Sequence, residues 1–314
     1  MNRIPMPDRA ACGAALLMVA MVPASATEGG GTAKILGVET VMAGVMQAPG
    51  QWRVVTVVGH YRSEHTLDGN GNPRAPLSNF DLKVTAFAMR FQYVWPELKL
   101  LGADVESRFG AAWYTDTTLS FDVATPGGPV HRADASTGHG DALLAPITLG
   151  WKSPSLHQIA GLEIYVPWGR FDTSRLANRT RGYLAVAPAY RFTWFPAPAL
   201  EVSGNLIYLL NRENPDTRVK SGRELSFDYG IGYTLAPGWQ VGASGYLYRQ
   251  VSDDTLRGIR VAPDGNRGRV AATGPFLRWY TSDGMGITLK WQVESGARNK
   301  TDGNRFFLQF ARNL

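Results

Sequence analysis

Cysteine is nearly missing from this chain: Cys12 is the only one among 314 residues. It lies in a short apolar run near the N-terminus, so beyond that run no disulfide and no thiolate chemistry is available. Long apolar stretches are missing too. After residue 26 no segment holds about eighteen apolar residues in a row, the length a membrane helix needs. Mean hydropathy is only −0.16. A helical membrane protein is thereby excluded, whereas a β-barrel is not, because only alternate residues of its strands face lipid. Histidine is sparse: His60, His65, His131, His139 and His157 lie at scattered spacing with no H-x-x-x-H pair, so no zinc arrangement is indicated. Runs of one charge sign are also lacking. Basic and acidic residues are interspersed, which argues against a nucleic-acid partner.

The first residues read as a secretory signal. Arg3 and Arg9 provide a positive start, Ala10–Val22 an apolar run, and Ala24-Ser25-Ala26 a small-residue cleavage site. Without Arg3, Arg9 and Asp8 the 32 basic and 26 acidic residues fall to 30 and 25, a net charge of +5. The expected domains are therefore a signal peptide over residues 1–26, an N-terminal segment over residues 27–50, and a barrel over residues 51–314. The segment EGGGTAKILGVETVMAG is a poor strand, although a short helix could form over Val38–Met46. Two readings of it stand: a loose periplasmic leader, or a plug that enters the barrel.

From Gln51 onward, strand-like stretches follow one another. The clearest is Glu224–Leu235, ELSFDYGIGYTL. Leu225, Phe227, Tyr229, Ile231, Tyr233 and Leu235 share one face, and Glu224, Ser226, Asp228, Gly230, Gly232 and Thr234 the other. Only an extended strand separates residues in this way. Twelve such strands are expected, joined by turns that alternate long and short, among them a short link at PELKLLG and a long loop from about Thr115 to His139. An even number of antiparallel strands, with short periplasmic turns and longer outer loops, defines a transmembrane barrel of the bacterial outer membrane. The tryptophans agree. Trp52, Trp95, Trp151, Trp194, Trp239 and Trp279 fall beside the short turns, Trp113 and Trp168 beside the long loops. Indole favours the boundary between water and hydrocarbon. Phe306, Leu308 and Phe310 share a phase of the last strand, the pattern read by the barrel assembly machinery, although the final residue is Leu314 rather than an aromatic.

The inward phase carries the candidate path residues Arg90, Asp104, Glu106, Arg108, Glu163, Tyr165, Tyr183, Arg191, Glu201, Glu224, Asp228, Lys290 and Glu294, with Phe195 as a further ring. Mixed acids and bases either brace the wall as pairs or tune a polar conduit. No cofactor and no metal ion is expected. Asp68-Gly69-Asn70-Gly71-Asn72 opens like a calcium loop, but Pro73 and Asn79 stand where glycine and the closing glutamate belong. No catalytic motif is present. A barrel-embedded lipid hydrolase would need a serine beside one of the histidines on neighbouring strands. Arginines at the loop bases, among them Arg170, Arg179 and Arg212, either meet lipopolysaccharide phosphates or form a solvated rim.

Several stretches resemble one family: EGGGTAKILGVETVMAG, DGNGN, LANRTRGYLAVAPAYRFTW, NRENPDTRVKSGRELSFDYGIGYTL and GNRGRVAATGP. Glu213–Tyr233 is the most specific of them. The family is the one named for phenol degradation by the meta pathway, and the resemblance spans Glu28–Leu314. It implies an outer-membrane transporter, encoded with enzymes of aromatic catabolism, that admits phenols or other small hydrophobic compounds. It implies no ring-cleaving activity despite the name. A general porin-like or structural barrel is the alternative.

Overall fold

The computed structural model describes residues 31–314. The expected signal peptide, residues 1–26, lies outside the described residues, as do residues 27–30. The strands are β1 (Trp52–Thr66), β2 (Leu77–Leu100), β3 (Ala103–Thr125), β4 (Gly128–Gly138), β5 (Ala142–Lys152) and β6 (Leu156–Val166). They continue as β7 (Ala185–Ala197), β8 (Leu200–Asn211), β9 (Val219–Lys220), β10 (Glu224–Ala236) and β11 (Trp239–Gln250). The last are β12 (Thr255–Leu256), β13 (Ile259–Arg260), β14 (Arg269–Tyr280), β15 (Gly286–Arg298) and β16 (Thr301–Asn313).

Strand β4 pairs only with the outer half of β3, and β9, β12 and β13 form a small separate sheet. The other twelve make one closed antiparallel barrel: β1 pairs with β16 on one side and β2 on the other, and β2 continues to β3. The ends of the wall meet where Trp52 and Leu314 exchange backbone hydrogen bonds of 3.1 and 2.8 Å.

Alternation explains both faces. On β10, Leu225, Ile231, Tyr233 and Leu235 stand outside, while Glu224, Ser226 and Asp228 are wholly buried. On β15, Ile287, Leu289, Trp291 and Val293 are outside, and Lys290, Gln292 and Glu294 inside. An apolar outer face around a polar interior inverts the soluble pattern, and only lipid satisfies it. Trp52, Trp95, Trp194 and Trp239 stand exposed at the short-turn end, and Trp239 pairs in register with Trp279. This is the aromatic girdle of a membrane boundary. The protein is a twelve-stranded outer-membrane barrel.

The structure corrects several boundaries. The loop expected at Thr115–His139 is a hairpin: β3 runs on to Thr125 and β4 returns beside it. The link PELKLLG is mostly strand, leaving Leu101-Gly102 as the turn, with Leu101 at φ 52° and Gly102 at φ 72°. The last outer connection is only Asn299-Lys300, so the long–short alternation fails there. Val105 lies on the expected outward phase yet is buried. Beyond Phe109, a bulge against β2 at Phe87/Ala88 breaks the phase near Trp113, so Thr115 and Thr117 point inward and Tyr114 outward. A second irregularity interrupts β5 between Leu144 and Thr148, at Pro146, which has no N–H to give the ladder.

Residues 31–50 form turns and bends. The helix expected over Val38–Met46 is not formed; its backbone makes only a turn, Val45 N–H to the Met42 carbonyl at 3.1 Å. This segment shares the apolar clusters of the interior. Leu36 packs with Tyr246, Tyr248 and Val270; Ala33 rests against the Tyr165–Ala187–Ile207 cluster; Val38 rests against Val55, Val57 and Phe307.

Candidate functional site

The polar interior divides into groups, each built by inward positions of adjacent strands. The central one is organised by Glu39. Its carboxylate pairs with Arg90 of β2, accepts from Arg191 Nε of β7 at 2.9 Å, and accepts from Asn205 of β8 at 2.9 Å. Arg191 also pairs with Glu163, which accepts a 2.7 Å bond from the Tyr165 hydroxyl. Opposite, Lys34 lies 2.7 Å from Asp228, and both side chains are buried. Lys290 donates to the Val38 carbonyl at 2.7 Å, and Gln292 donates to the Gly37 carbonyl at 3.1 Å. Glu201 accepts the Met42 N–H at 2.6 Å, and Thr193 accepts the Gly44 N–H at 3.0 Å. The inward side chains of five wall strands thus grip residues 34–44.

Other expected path residues form wall pairs. Glu106 takes Arg108 and Gln92, the latter at 3.2 Å. Asp104 pairs with Lys99 beside the periplasmic turn, away from the central group. Glu224 accepts from Asn211 at 2.7 Å at the outer end, where Tyr183 is also buried. Glu294 collects the Tyr61 hydroxyl at 2.8 Å, Arg305 at 3.1 Å, and the Tyr246 hydroxyl. Phe195 lies near the periplasmic rim, edge-on to His157.

Between residues 33–39 and strands β1, β2, β3, β5, β6 and β16 is a cavity of about 110 Å³. Ile35, Val57, Ala88, Ala111 and Ala142 give it an apolar side; Arg90 and Gln309 are among its polar groups. At the outer rim nearby, His139 stacks on Trp168 at 4.4 Å, and Trp113 meets the same indole edge-on at 5.0 Å.

The histidines are engaged elsewhere. His60 Nδ1 bonds the Thr85 hydroxyl at 2.9 Å, His131 Nδ1 the Asp122 carboxylate at 2.7 Å, and His139 Nδ1 the Trp113 carbonyl at 2.8 Å. His65 lies 3.4 Å from Asp302. Among the described residues no histidine ring is hydrogen-bonded to a serine hydroxyl; Ser63 Oγ meets only the backbone of His65. Asp68 spends its carboxylate on its own loop, accepting the Asn70 and Asn72 N–H groups at 2.8 and 2.9 Å.

The model of the family described as the MetA-pathway of phenol degradation matches residues 65–310. The chain belongs to this family. No curated protein sequence matches it. Among solved structures, an outer-membrane channel from Pseudomonas putida F1 aligns with a TM-score of 0.70 at 13% identity, covering 86% of this chain and 97% of that one. The NanC porin aligns at 0.41 and 10% identity, covering 83% and 100%. A Pseudomonas aeruginosa FadL homologue aligns at 0.36 and 10% identity, covering 93% and 98%. The first likeness shows that this family member has the fold of a Gram-negative outer-membrane channel.

Inward phase alone missed the cations and carboxylates outside the twelve strands, above all Lys34 and Glu39. It also missed Arg305, Tyr61 and Tyr246. Arg305 shares parity with Gln309, so its inward position was available in the sequence. Lys34 and Glu39 sit in a small-residue segment without periodicity, where nothing local assigns a direction.

Proposed function

We propose that this protein is a passive outer-membrane route for small hydrophobic or aromatic compounds, and that residues 31–50, the described part of the expected N-terminal segment, are a plug seated in its bore. The observation that carries this reading is the cavity beside Arg90, apolar on one side, lying between the N-terminal segment and the wall. A general porin needs an open, hydrated bore. Here wall side chains on both sides of the barrel are spent on binding residues 34–44, and the accessible interior space favours an apolar solute. Lipopolysaccharide hinders such solutes, so a protein route has a physical purpose. The expected path residues fall into three roles in this proposal. Arg90, Glu163, Tyr165 and Arg191 border or support the cavity, Asp228, Glu201 and Lys290 hold the plug, and the remaining pairs brace the wall. Uptake of labelled phenol by cells with and without the protein tests the proposal. Faster uptake with the protein is expected, and equal uptake would sink it.

A further inference from the structure

We infer that the cavity beside Arg90 is a binding site for one single-ring compound that carries a hydrogen-bond acceptor such as a hydroxyl or carboxylate. This rests on the uptake reading and goes further, because it assigns a place, a size and a polarity to the bound solute. Size comes first. About 110 Å³ is available, somewhat less than the roughly 150 Å³ of an apolar protein cavity known to hold benzene. One ring fills it, and a long alkyl chain does not. The body of the ligand would lie against Ala88, Ala111 and Val57, whose small or branched side chains leave the space open.

Polarity follows from which groups around the cavity are already satisfied. Glu163 is taken by Arg191 and the Tyr165 hydroxyl. Asp141 accepts from Thr180. Glu39 is shared by Arg90, Arg191 and Asn205. The carboxylates therefore have donors already, and Lys34, the other cation in the lining, is paired with Asp228 at 2.7 Å. Arg90 differs. A guanidinium has five N–H donors; one edge of this one faces Glu39, its Nε is buried without an acceptor, and about 21% of the side chain is accessible. The unmet capacity is for an acceptor, so the ligand brings oxygen to Arg90 and its ring to the alanines.

The test is isothermal titration of the full chain in lipid nanodiscs with phenol, toluene and decanoate. Phenol is expected to bind at one site. Toluene, of similar size without the oxygen, is expected to bind roughly tenfold more weakly, the loss of a hydrogen bond to a charged donor. Decanoate is expected not to compete. Ala88→Phe fills the cavity from β2 and should abolish phenol binding. If that variant does not assemble, Ala111→Leu fills it from β3 and should do the same. Phenol binding unchanged in an assembled filling variant, or toluene binding as tightly as phenol, overturns the assignment. Should phenol bind as expected while cellular uptake is equal with and without the protein, the site stands and the transport reading fails.

Discussion

Replacing Lys34 by Met should release the N-terminal segment while leaving the barrel intact. Lys34 and Asp228 lie 2.7 Å apart with side chains 4% and 0% exposed, so the pair has almost no solvent to replace a lost partner. Removing one member of a buried pair costs about 3–5 kcal/mol, because the remaining charge is left uncompensated. That cost applies only while the segment covers Asp228; once the segment withdraws, water reaches the carboxylate. At about 1.4 kcal/mol per factor of ten, the withdrawn population rises between roughly 100-fold and 4,000-fold. Thr40, fully buried, is a suitable reporter. A Thr40→Cys change places a lone thiol there, since Cys12 is the only natural cysteine and precedes the expected cleavage site. Labelling of the assembled protein by a membrane-impermeant maleimide then reads withdrawal directly. Lys34→Met should speed labelling by at least about two orders of magnitude. Lys34→Met with Asp228→Leu removes both charges and should restore slow labelling, since a buried pair can be replaced by apolar groups at little cost. A Lys34→Met protein that assembles and labels at the wild-type rate would refute the proposal that this pair latches the segment.

A steric change on the wall should act in the same way: a Cβ at Gly230 would overlap the Thr40 carbonyl oxygen, so Gly230→Ala should also speed Thr40→Cys labelling, and an unchanged rate would mean that the contact yields. On the lipid face, Ile231 is 52% exposed. Ile231→Lys should cost about 2–4 kcal/mol near the bilayer midplane and lower the folded fraction in heat-shifted gel mobility, with no loss expected if that face met water. Outside the membrane, Arg175 above all, with the Ala177 and Leu176 N–H groups, holds the Asp134 carboxyl down to about 2. A depressed carboxyl stabilises the folded form above its unfolded value near ~3.9, and the contribution is lost as pH falls toward 2. Pepsin nicking near residues 170–180 should therefore rise from pH 4 to pH 2, and Asp134→Ala should flatten that rise by raising cleavage at pH 4.

What the sequence disclosed follows from where the membrane is. Strand phase was readable wherever one face meets lipid, as in β10, β11 and β14, because hydrocarbon enforces apolar alternation. Above the bilayer the same strands continue without that constraint. Thr117, Thr118, Ser120 and Asp122 of β3 are polar on both faces, and β4 opposite is largely exposed. A strand wet on both sides reads as a loop, and so the hairpin went unseen. The bulge near Trp113 was hidden for a different reason: an extra residue changes the phase without changing composition.

The lumen was legible only in part. Its charges read either as braces of the wall or as a tuned conduit; Glu294–Arg305 does join neighbouring strands, while Glu106–Arg108 pairs within β3. Asp228, Arg90 and Lys290, however, have their partners in a segment some fifty to 250 positions away in sequence. That segment has no repeat of its own because it is bound as irregular backbone: Gly37, Val38, Met42 and Gly44 offer carbonyls and N–H groups that wall side chains satisfy. Buried backbone polar groups must be paired, and a segment without helix or sheet inside a barrel can be paired only by the wall. The inward polar residues of β7, β8, β10 and β15 are therefore explained as much by residues 34–44 as by any solute. Of the cations that line the cavity, Lys34 is spent on Asp228, and Arg90 keeps a buried Nε without an acceptor and part of its side chain accessible.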